Sequence, residues 1–290
     1  MMASRQPDLS VVIPALDAAD TLGEQLDALT GQTSGGPIEI LVVDNGSTDQ
    51  TPRIVAARAA TDERIRLVSE PTPGAAAALN RGIAEARADH LAFCDSDDVV
   101  GAGWIDAARR GLVDHELVTG PLELDLLNDP DSARSRGCSW ANRLERFADL
   151  FPLIPSGNFA ARRDAIEAAA GFDPEIRVGY DVDFAYRAFQ SGVHVSFDPN
   201  LIVHYRYRGD ARGQWHQGRS MARFRPGLYR RLERDGHAVP SRVEGLANWA
   251  WMIKSLPTLR HRAGRLRWVW VAANRVGQLE GSLRARSLFL

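Results

Sequence analysis

The sequence predicts an α/β fold, a mostly parallel sheet flanked by helices and followed by a helical C-terminal extension. Three observations carry this. Short β-branched runs alternate with helical patterns through the first hundred residues. The connections between them are short, which favours parallel strands crossed over by helices. From about Trp215 onward the chain is arginine-rich and helical in pattern. With 290 residues, 44% of them hydrophobic, there is enough apolar material for a substantial core.

The elements follow in order. Leu9 to Ile13 is a buried-strand pattern ended by Pro14. Ala18 to Leu29 is expected to be helical, because Leu22, Leu26 and Leu29 recur at spacings of four and three. Ile38 to Val43 is a second apolar run, stopped by the turn cluster Asp44-Asn45-Gly46-Ser47. Thr51-Pro52 opens a helix to about Ala60, with proline in the tolerated first turn. Ile65 to Val68 is a third strand, Ala75 to Ala88 a helix, and His90 to Cys94 a fourth strand ending at Asp95. The middle third is less regular. Asn142 to Leu150 has a helical pattern, Pro152 to Gly157 is turn-rich, Val182 to Gln190 is a helix and Val193 to Phe197 a strand. The expected partition is 1–105, 106–212 and 213–290, the first two being halves of one α/β domain.

Bulk properties narrow the function classes. Two cysteines, Cys94 and Cys138, give neither a disulfide framework nor a zinc site, and the first ten residues have no secretory pattern, so a reducing cytoplasm is the expected compartment. The net charge of −2 hides an asymmetry: residues 1–200 hold 17 basic and 32 acidic side chains, residues 201–290 hold 18 and 5. A basic tail on an acidic body meets an anionic surface, or pairs internally with that body. Trp249, Trp251, Trp268 and Trp270 stand among arginines in this tail, a pattern suited to a helix lying in a bilayer interface or to a packed helix pair with a basic outer face. No apolar run reaches the ~20 residues of a membrane span.

In parallel sheets ligands sit beyond the carboxyl ends of strands. Pro14-Ala15-Leu16-Asp17, Asp44-Asn45-Gly46-Ser47 and Asp95-Ser96-Asp97-Asp98 all fall there. Two carboxylates flanking one residue can hold a hard divalent cation that bridges phosphates. Asp98 extends this run or caps the next helix. Asp44 is placed to accept from a nucleobase N–H, or to close an Asx-turn. Gly74 to Gly82 opens a helix with small residues, which suits close approach of a ligand or tight packing on the sheet.

Together these segments resemble the nucleotide-binding half of the family 2 glycosyltransferases. The matching residues are Val11 to Ala15, Val43 to Asp49, Gly74 through Asn80-Arg81-Gly82, and Asp95 to Asp98. The resemblance implies the GT-A, Rossmann-like fold and transfer of a sugar from a nucleotide diphosphate-sugar with Mn2+ or Mg2+. It implies that Asp44 contacts the base, that Pro14 and Ala15 line the base and ribose pocket, that Asp95 meets the sugar or ribose, and that Asp97 holds the metal. Asp17, Gly74, Asn80 and Ser96 join the donor-side candidates. UDP is the donor nucleotide the resemblance favours, with dTDP and GDP open.

The resemblance extends through Gly157-Asn158-Phe159, Gly171-Phe172-Asp173 and Tyr180-Asp181-Val182-Asp183-Phe184-Ala185-Tyr186-Arg187. The family's usual Glu-Asp pair is here Tyr180-Asp181. It implies Asp181 as the base that takes the acceptor hydroxyl's proton, in a displacement that inverts the anomeric centre. Asp183 is the rival, since either acid also suits a helix start. Asn158, Tyr180, Asp183 and Arg187 are the acceptor-side candidates. In similar enzymes a histidine at the position of His204 approaches the metal or diphosphate; a lone histidine is also commonly structural. Arg206, Arg208 and Arg212 suit phosphate or a solvated loop, and Trp215-His216-Gln217 suits a closing segment or the start of the tail.

The expected acceptor is a glycan or lipid-linked glycan, with the basic tail in peripheral contact at the inner face of the plasma membrane. Two other enzymes share parts of the pattern. A dinucleotide-dependent dehydrogenase needs Gly-x-Gly-x-x-Gly after the first strand, and Pro14 to Ala19 has no glycine. A sugar nucleotidyltransferase places a glycine- and arginine-rich loop there, also missing. A catalytically impaired nucleotide-sugar-binding protein is the reading that Tyr180 keeps open. No nucleic-acid-binding motif is present, and no nucleic acid is expected as a partner.

Overall fold

The structure, a computed structural model, describes residues 6–33, 35–136, 143–239, 241 and 245–289. The strands are β1 (Leu9–Ala15), β2 (Ile38–Asp44), β3 (Ile65–Ser69), β4 (His90–Cys94), β5 (Val99–Val100), β6 (Leu117–Thr119), β7 (Leu122–Glu123), β8 (Arg146–Phe147), β9 (Phe151–Pro152), β10 (Asn158–Arg162), β11 (Val195–Phe197) and β12 (Val203–His204). The helices are α1 (Leu22–Thr30), α2 (Thr51–Ala59), α3 (Ala75–Glu85), α4 (Trp104–Asp114), α5 (Pro130–Arg136), α6 (Arg163–Ala168), α7 (Tyr180–Gln190), α8 (Ala211–Arg234), α9 (Leu246–Lys254) and α10 (Arg262–Ala285).

The chain forms two compact units, the first comprising Met1–Glu123, Ser139–Phe147 and Phe151–Tyr205, the second Leu124–Cys138, Ala148–Leu150 and Arg206–Leu290. In the first, a seven-stranded sheet runs β11-β6-β10-β4-β1-β2-β3. β10 is antiparallel to both its neighbours, and every other pairing is parallel. β2 is buried along its whole length, as a strand covered on both faces must be. Because β10 inserts beside β4, segments 1–105 and 106–212 share one sheet. Phe93 of β4 stacks on Phe159 of β10 with centroids 4.3 Å apart, and Phe172 and Phe184 close the cluster.

Three helical expectations are corrected. The first helix starts at Leu22 rather than Ala18, because Ala18 and Ala19 donate their N–H groups to Thr51 Oγ1 and Asp49 across the sheet edge. The third ends at Glu85 rather than Ala88, where the Arg163 guanidinium takes the carbonyls of Ile83, Ala86 and Ala88. Asn142 lies outside the described residues, and 143–150 hold no helix. Instead β8 pairs antiparallel with β9. Positive φ at Ala148 and Asp149, 50° and 54°, reverses the chain there. Phe151 then buries against Tyr186 and Phe189, and that tertiary contact outweighs local helix propensity.

The second unit is helical. α8 and α10, 24 residues each, approach closely enough that a β-carbon at Gly277 or Gly281 would strike the backbone of α8. Glu280 pairs with Arg219 and, at 2.6 Å, with Arg223. Among the described residues no helix is long and apolar enough to cross a membrane.

Candidate functional site

β4, β1 and β2 are adjacent and parallel, so their carboxyl ends form one edge. Pro14 stands in register with Val43 and Ala15 with Asp44, which brings the first two turn clusters together. Asp44 is buried and accepts from Ser47 N–H at 3.2 Å, so one carboxylate oxygen closes its own turn. Asp17, at φ 48°, accepts from the N–H groups of Thr48 and Asp49 and from the Thr48 hydroxyl. It ties the β1 and β2 loops together.

Asn45, which the sequence did not single out, does the same on the other side. Its Nδ2 donates to the carbonyls of Glu70 and Thr72, and its Oδ1 accepts from Gly74 N–H at 2.7 Å. Gly74 has φ 123°, a conformation side-chain-bearing residues rarely take, and it caps α3 beneath the Arg177 guanidinium. Asn80 spends both ends of its amide on Phe172, donating to the carbonyl at 2.6 Å and accepting from the N–H at 2.9 Å. It thereby fixes the 171–173 loop.

The acidic run follows β4. Asp95, Asp97 and Asp98 each offer a carboxylate oxygen within 4.8 Å of the others. α1 shapes the loop: buried Gln25 donates to the Asp95 carbonyl and accepts from Val100 N–H, both at 2.9 Å, while Thr21 donates to the Ser96 carbonyl. Thr21 and Gln25 fall within the expected helix Ala18 to Leu29, and nothing in the sequence singled them out. Hard oxygen donors at this spacing fit Mg2+ or Mn2+.

α7 brings the next acid to the same place. Gly179, in the left-handed region at φ 84°, turns the chain into α7, whose first residues are Tyr180 and Asp181. Burial first, and then the charges of Asp97 and Asp181, push the Asp95 carboxyl up to about 7. Asp181 is itself raised by burial, against hydrogen bonds from the Val182 and Asp181 N–H groups. The Tyr180 hydroxyl is raised by burial and then by Asp95 and Asp181, so it stays neutral. It lies 3.2 Å from Ser156 Oγ, and its ring meets Phe172 edge-on. Gly157 abuts Asp95, where a β-carbon would collide with the carboxylate.

β12 lies between β5 and β7, with His204 opposite Val99 and Glu123. His204 is therefore one residue in register from the end of the acidic run. Its Nδ1 lies 2.6 Å from Glu123 Oε2. A donated Nδ1–H leaves Nε2 as the lone-pair nitrogen, the usual way a carboxylate orients an imidazole. Glu123, in the irregular middle third, carried no sequence signal.

Three acceptor-side candidates are held inside the frame. Asn158 is fully buried: its Oδ1 accepts from Trp104 Nε1 at 2.9 Å, and its Nδ2 donates to the carbonyls of Pro121 and Leu201. Asp183 is buried one turn before Arg187 and accepts from Arg187 Nε at 2.8 Å, and Arg187 also donates to the Ala169 carbonyl. These contacts hold all three side chains in packing, Asn158 doing so opposite Cys94, the last residue of β4. Asp181, at the start of α7, is the acid coupled to the Asp95 cluster. Arg206, Arg208, Arg212 and Trp215 to Gln217 fall in the second unit. A cavity of about 870 Å³ at the amino ends of β2 and β3 is a different place: its Arg64 and Arg66 are paired at 2.7 Å with Asp62 and Glu39, and it lacks the acidic cluster.

The family model for glycosyl transferase family 2 matches residues 10–169. Glycosyltransferase AglE of Haloferax volcanii is 29% identical over 206 residues, covering 69% of this chain and 67% of AglE. The chain spans only 44% of two further curated relatives it matches. Among solved structures, the mannosyltransferase PcManGT of Pyrobaculum calidifontis in complex with GDP-Man and Mn2+ superposes with a TM-score of 0.66 at 20% identity, covering 95% of this chain and 88% of that one. Residues 1–349 of S. aureus TarS in complex with UDP-GlcNAc superpose with a TM-score of 0.56 at 16% identity, covering 98% and 93%. At these identities the two structures bear on the fold.

Proposed function

The chain belongs to glycosyl transferase family 2, and from that premise we propose that it is a nucleotide-sugar-dependent glycosyltransferase that transfers the sugar to an acceptor hydroxyl with inversion, using Asp181 as the base. The supporting observation is that the start of α7 lies beside the acidic run after β4: Tyr180 reaches Ser156, next to the Gly157 that abuts Asp95, and the charge of Asp181 acts on the Asp95 carboxyl. Asp97, with Asp95 or Asp98 and with His204 Nε2, would hold Mn2+ or Mg2+. Bound there, the ion supplies charge to stabilise the departing nucleoside diphosphate.

The chain's own residues do the rest. Asp181 takes the proton of the acceptor hydroxyl as its oxygen bonds to the anomeric carbon, and the bond from that carbon to the diphosphate oxygen breaks with its electron pair. Burial raises Asp181, which makes its carboxylate a better proton acceptor than a solvated aspartate. Tyr180 and Ser156 offer neutral hydroxyls beside it to orient the acceptor. Asp44 receives the base of the nucleotide, at the edge that Pro14 and Ala15 line. UDP and GDP donors are the first to test, being the nucleotides carried by the two structural neighbours. The acceptor is a glycan or lipid-linked glycan, met at the cytoplasmic membrane face with residues 213–290 in peripheral contact.

The test is a donor panel with Mn2+, read by thermal shift and by transfer. Asp97→Ala should abolish the nucleotide-dependent rise in melting temperature. Asp181→Asn should keep that rise and lower transfer by about 100- to 10,000-fold. Near-normal turnover in Asp181→Asn would remove the base assignment.

A further inference from the structure

Helix α9 of the second unit leaves apolar side chains in solvent: of its nine residues Met252 alone is buried. Leu246, Trp249, Ala250 and Ile253 recur at spacings of three, one and three, which sets them on one face. On that face Leu246, Ala250 and Ile253 are exposed and Trp249 is half-buried. Leu246 is 50% exposed and Ile253 71% exposed, and Leu256, in the 3-10 turn Leu256–Arg260 that follows, is 50% exposed. Met252 is the one helix residue that is buried, and its carbonyl accepts from Trp268 Nε1 at 3.1 Å. So the helix is anchored to α10 from beneath while its apolar face stays outward. Single exposed leucines are ordinary, but a contiguous apolar helix face marks a surface meant to be covered.

Charge says what covers it. From Gly245 to Leu279 the sequence contains no Asp or Glu, and it holds six Lys or Arg residues. Lys254, Arg260, Arg265 and Arg267 are exposed: Lys254 ends α9, Arg260 and Arg265 bond to carbonyls of the turn after it, and Arg267 lies over the Trp251 ring. A second copy on a twofold axis would bring like charges face to face. An apolar helix face with exposed cations beside it matches an anionic bilayer surface, whose acyl boundary takes the leucine and isoleucine while lipid phosphates meet the cations. Tryptophan suits the headgroup level between them.

We propose that α9 and the turn after it are a membrane-docking element, with Leu246, Trp249 and Ile253 inserted into the interface of an anionic phospholipid membrane. This rests on the peripheral-contact part of the proposed function and is independent of the donor, metal and base assignments.

The test is cosedimentation of the full chain with vesicles of phosphatidylcholine, with and without phosphatidylglycerol, at low and high salt. The expected result is binding only to anionic vesicles, weakened by salt, and at least about tenfold weaker for Leu246→Glu/Ile253→Glu. Both side chains are exposed, so the double variant should keep the wild-type melting temperature. If it does not, brominated lipid acyl chains give a second readout: they should quench the wild-type chain more than Trp249→Phe, and equal quenching would overturn the proposal. Wild-type binding with an unaffected and folded double variant would overturn α9 as the element and leave contact through another part of the tail. No binding by the wild-type chain would end both. A dimer by light scattering that the double variant loses would assign the face to a second copy instead.

Discussion

Two sets of polar residues in the first unit are spent in opposite ways. Asp17, Asn45 and Asn80 each use their side-chain oxygen or amide on backbone groups of a neighbouring loop. The second set, Asp95, Asp97, Asp98 and Asp181, gathers like charges, and those of Asp97 and Asp181 raise the Asp95 carboxyl. The first set is what a satisfied frame looks like, since amide–backbone bonds remove the cost of burying both partners. The second is unfavourable until a cation or a proton arrives, and proteins keep such arrangements where chemistry needs them. A strand-end Asp or Asn is thus either a tether or a ligand group, and its partners decide which.

Asn158 is the sharpest test of the tether class. It was expected on the acceptor side, yet its amide joins β10 to Trp104, Pro121 and Leu201 within the core. Asn158→Ala should lower stability by about 2–4 kcal/mol, because several buried groups lose their partner at once. The nucleotide-dependent thermal shift should survive in the folded fraction. Unchanged stability with a raised acceptor KM would move Asn158 back to the site and break the division. Glu123 probes the border between the classes, as a tether acting on a ligand group. Glu123→Gln keeps the shape and weakens the grip on His204 Nδ1. It should lower Mn2+ affinity by about 10- to 100-fold, read by electron paramagnetic resonance, with little change in melting temperature. Unaltered Mn2+ affinity would leave the His204–Glu123 pair as packing.

The strands β1 to β4 were legible because each is a short apolar run closed by a turn cluster, and the acidic run was legible because it follows one of them. Gln25, Asn45 and Glu123 were not. Their roles come from which loops the sheet order brings side by side, and a single polar residue at a helix start or in an irregular stretch has no periodicity to reveal that. Helix ends at Leu22 and Glu85 were missed for the same reason: the groups that stop them, Thr51, Asp49 and Arg163, arrive from distant parts of the chain. Asn142 to Leu150 misled because its helical pattern is local, whereas Phe151 is buried on α7.

The smallest expected effect concerns protons. Asp95 is raised to about 7 by burial and by Asp97 and Asp181, whereas in the unfolded chain it titrates near an ordinary aspartate. Between those two values the folded, metal-free chain holds a proton that the unfolded chain has released. By linkage this site's contribution to stability is complete in acid and is lost as pH climbs through 7. Asp181, shifted in the same direction, adds to the trend. Asp95→Asn cannot ionise, so its melting temperature relative to wild type should rise steadily from about pH 5 to pH 7.5 in the presence of a chelator. Saturating Mn2+ should reverse the order at the alkaline end, because the cation takes the place of the proton in the wild-type cluster alone. A difference between the two proteins that stays flat with pH would mean the carboxylates are too far apart or too well solvated to couple, and the acidic set would then be no more than another group of tethers.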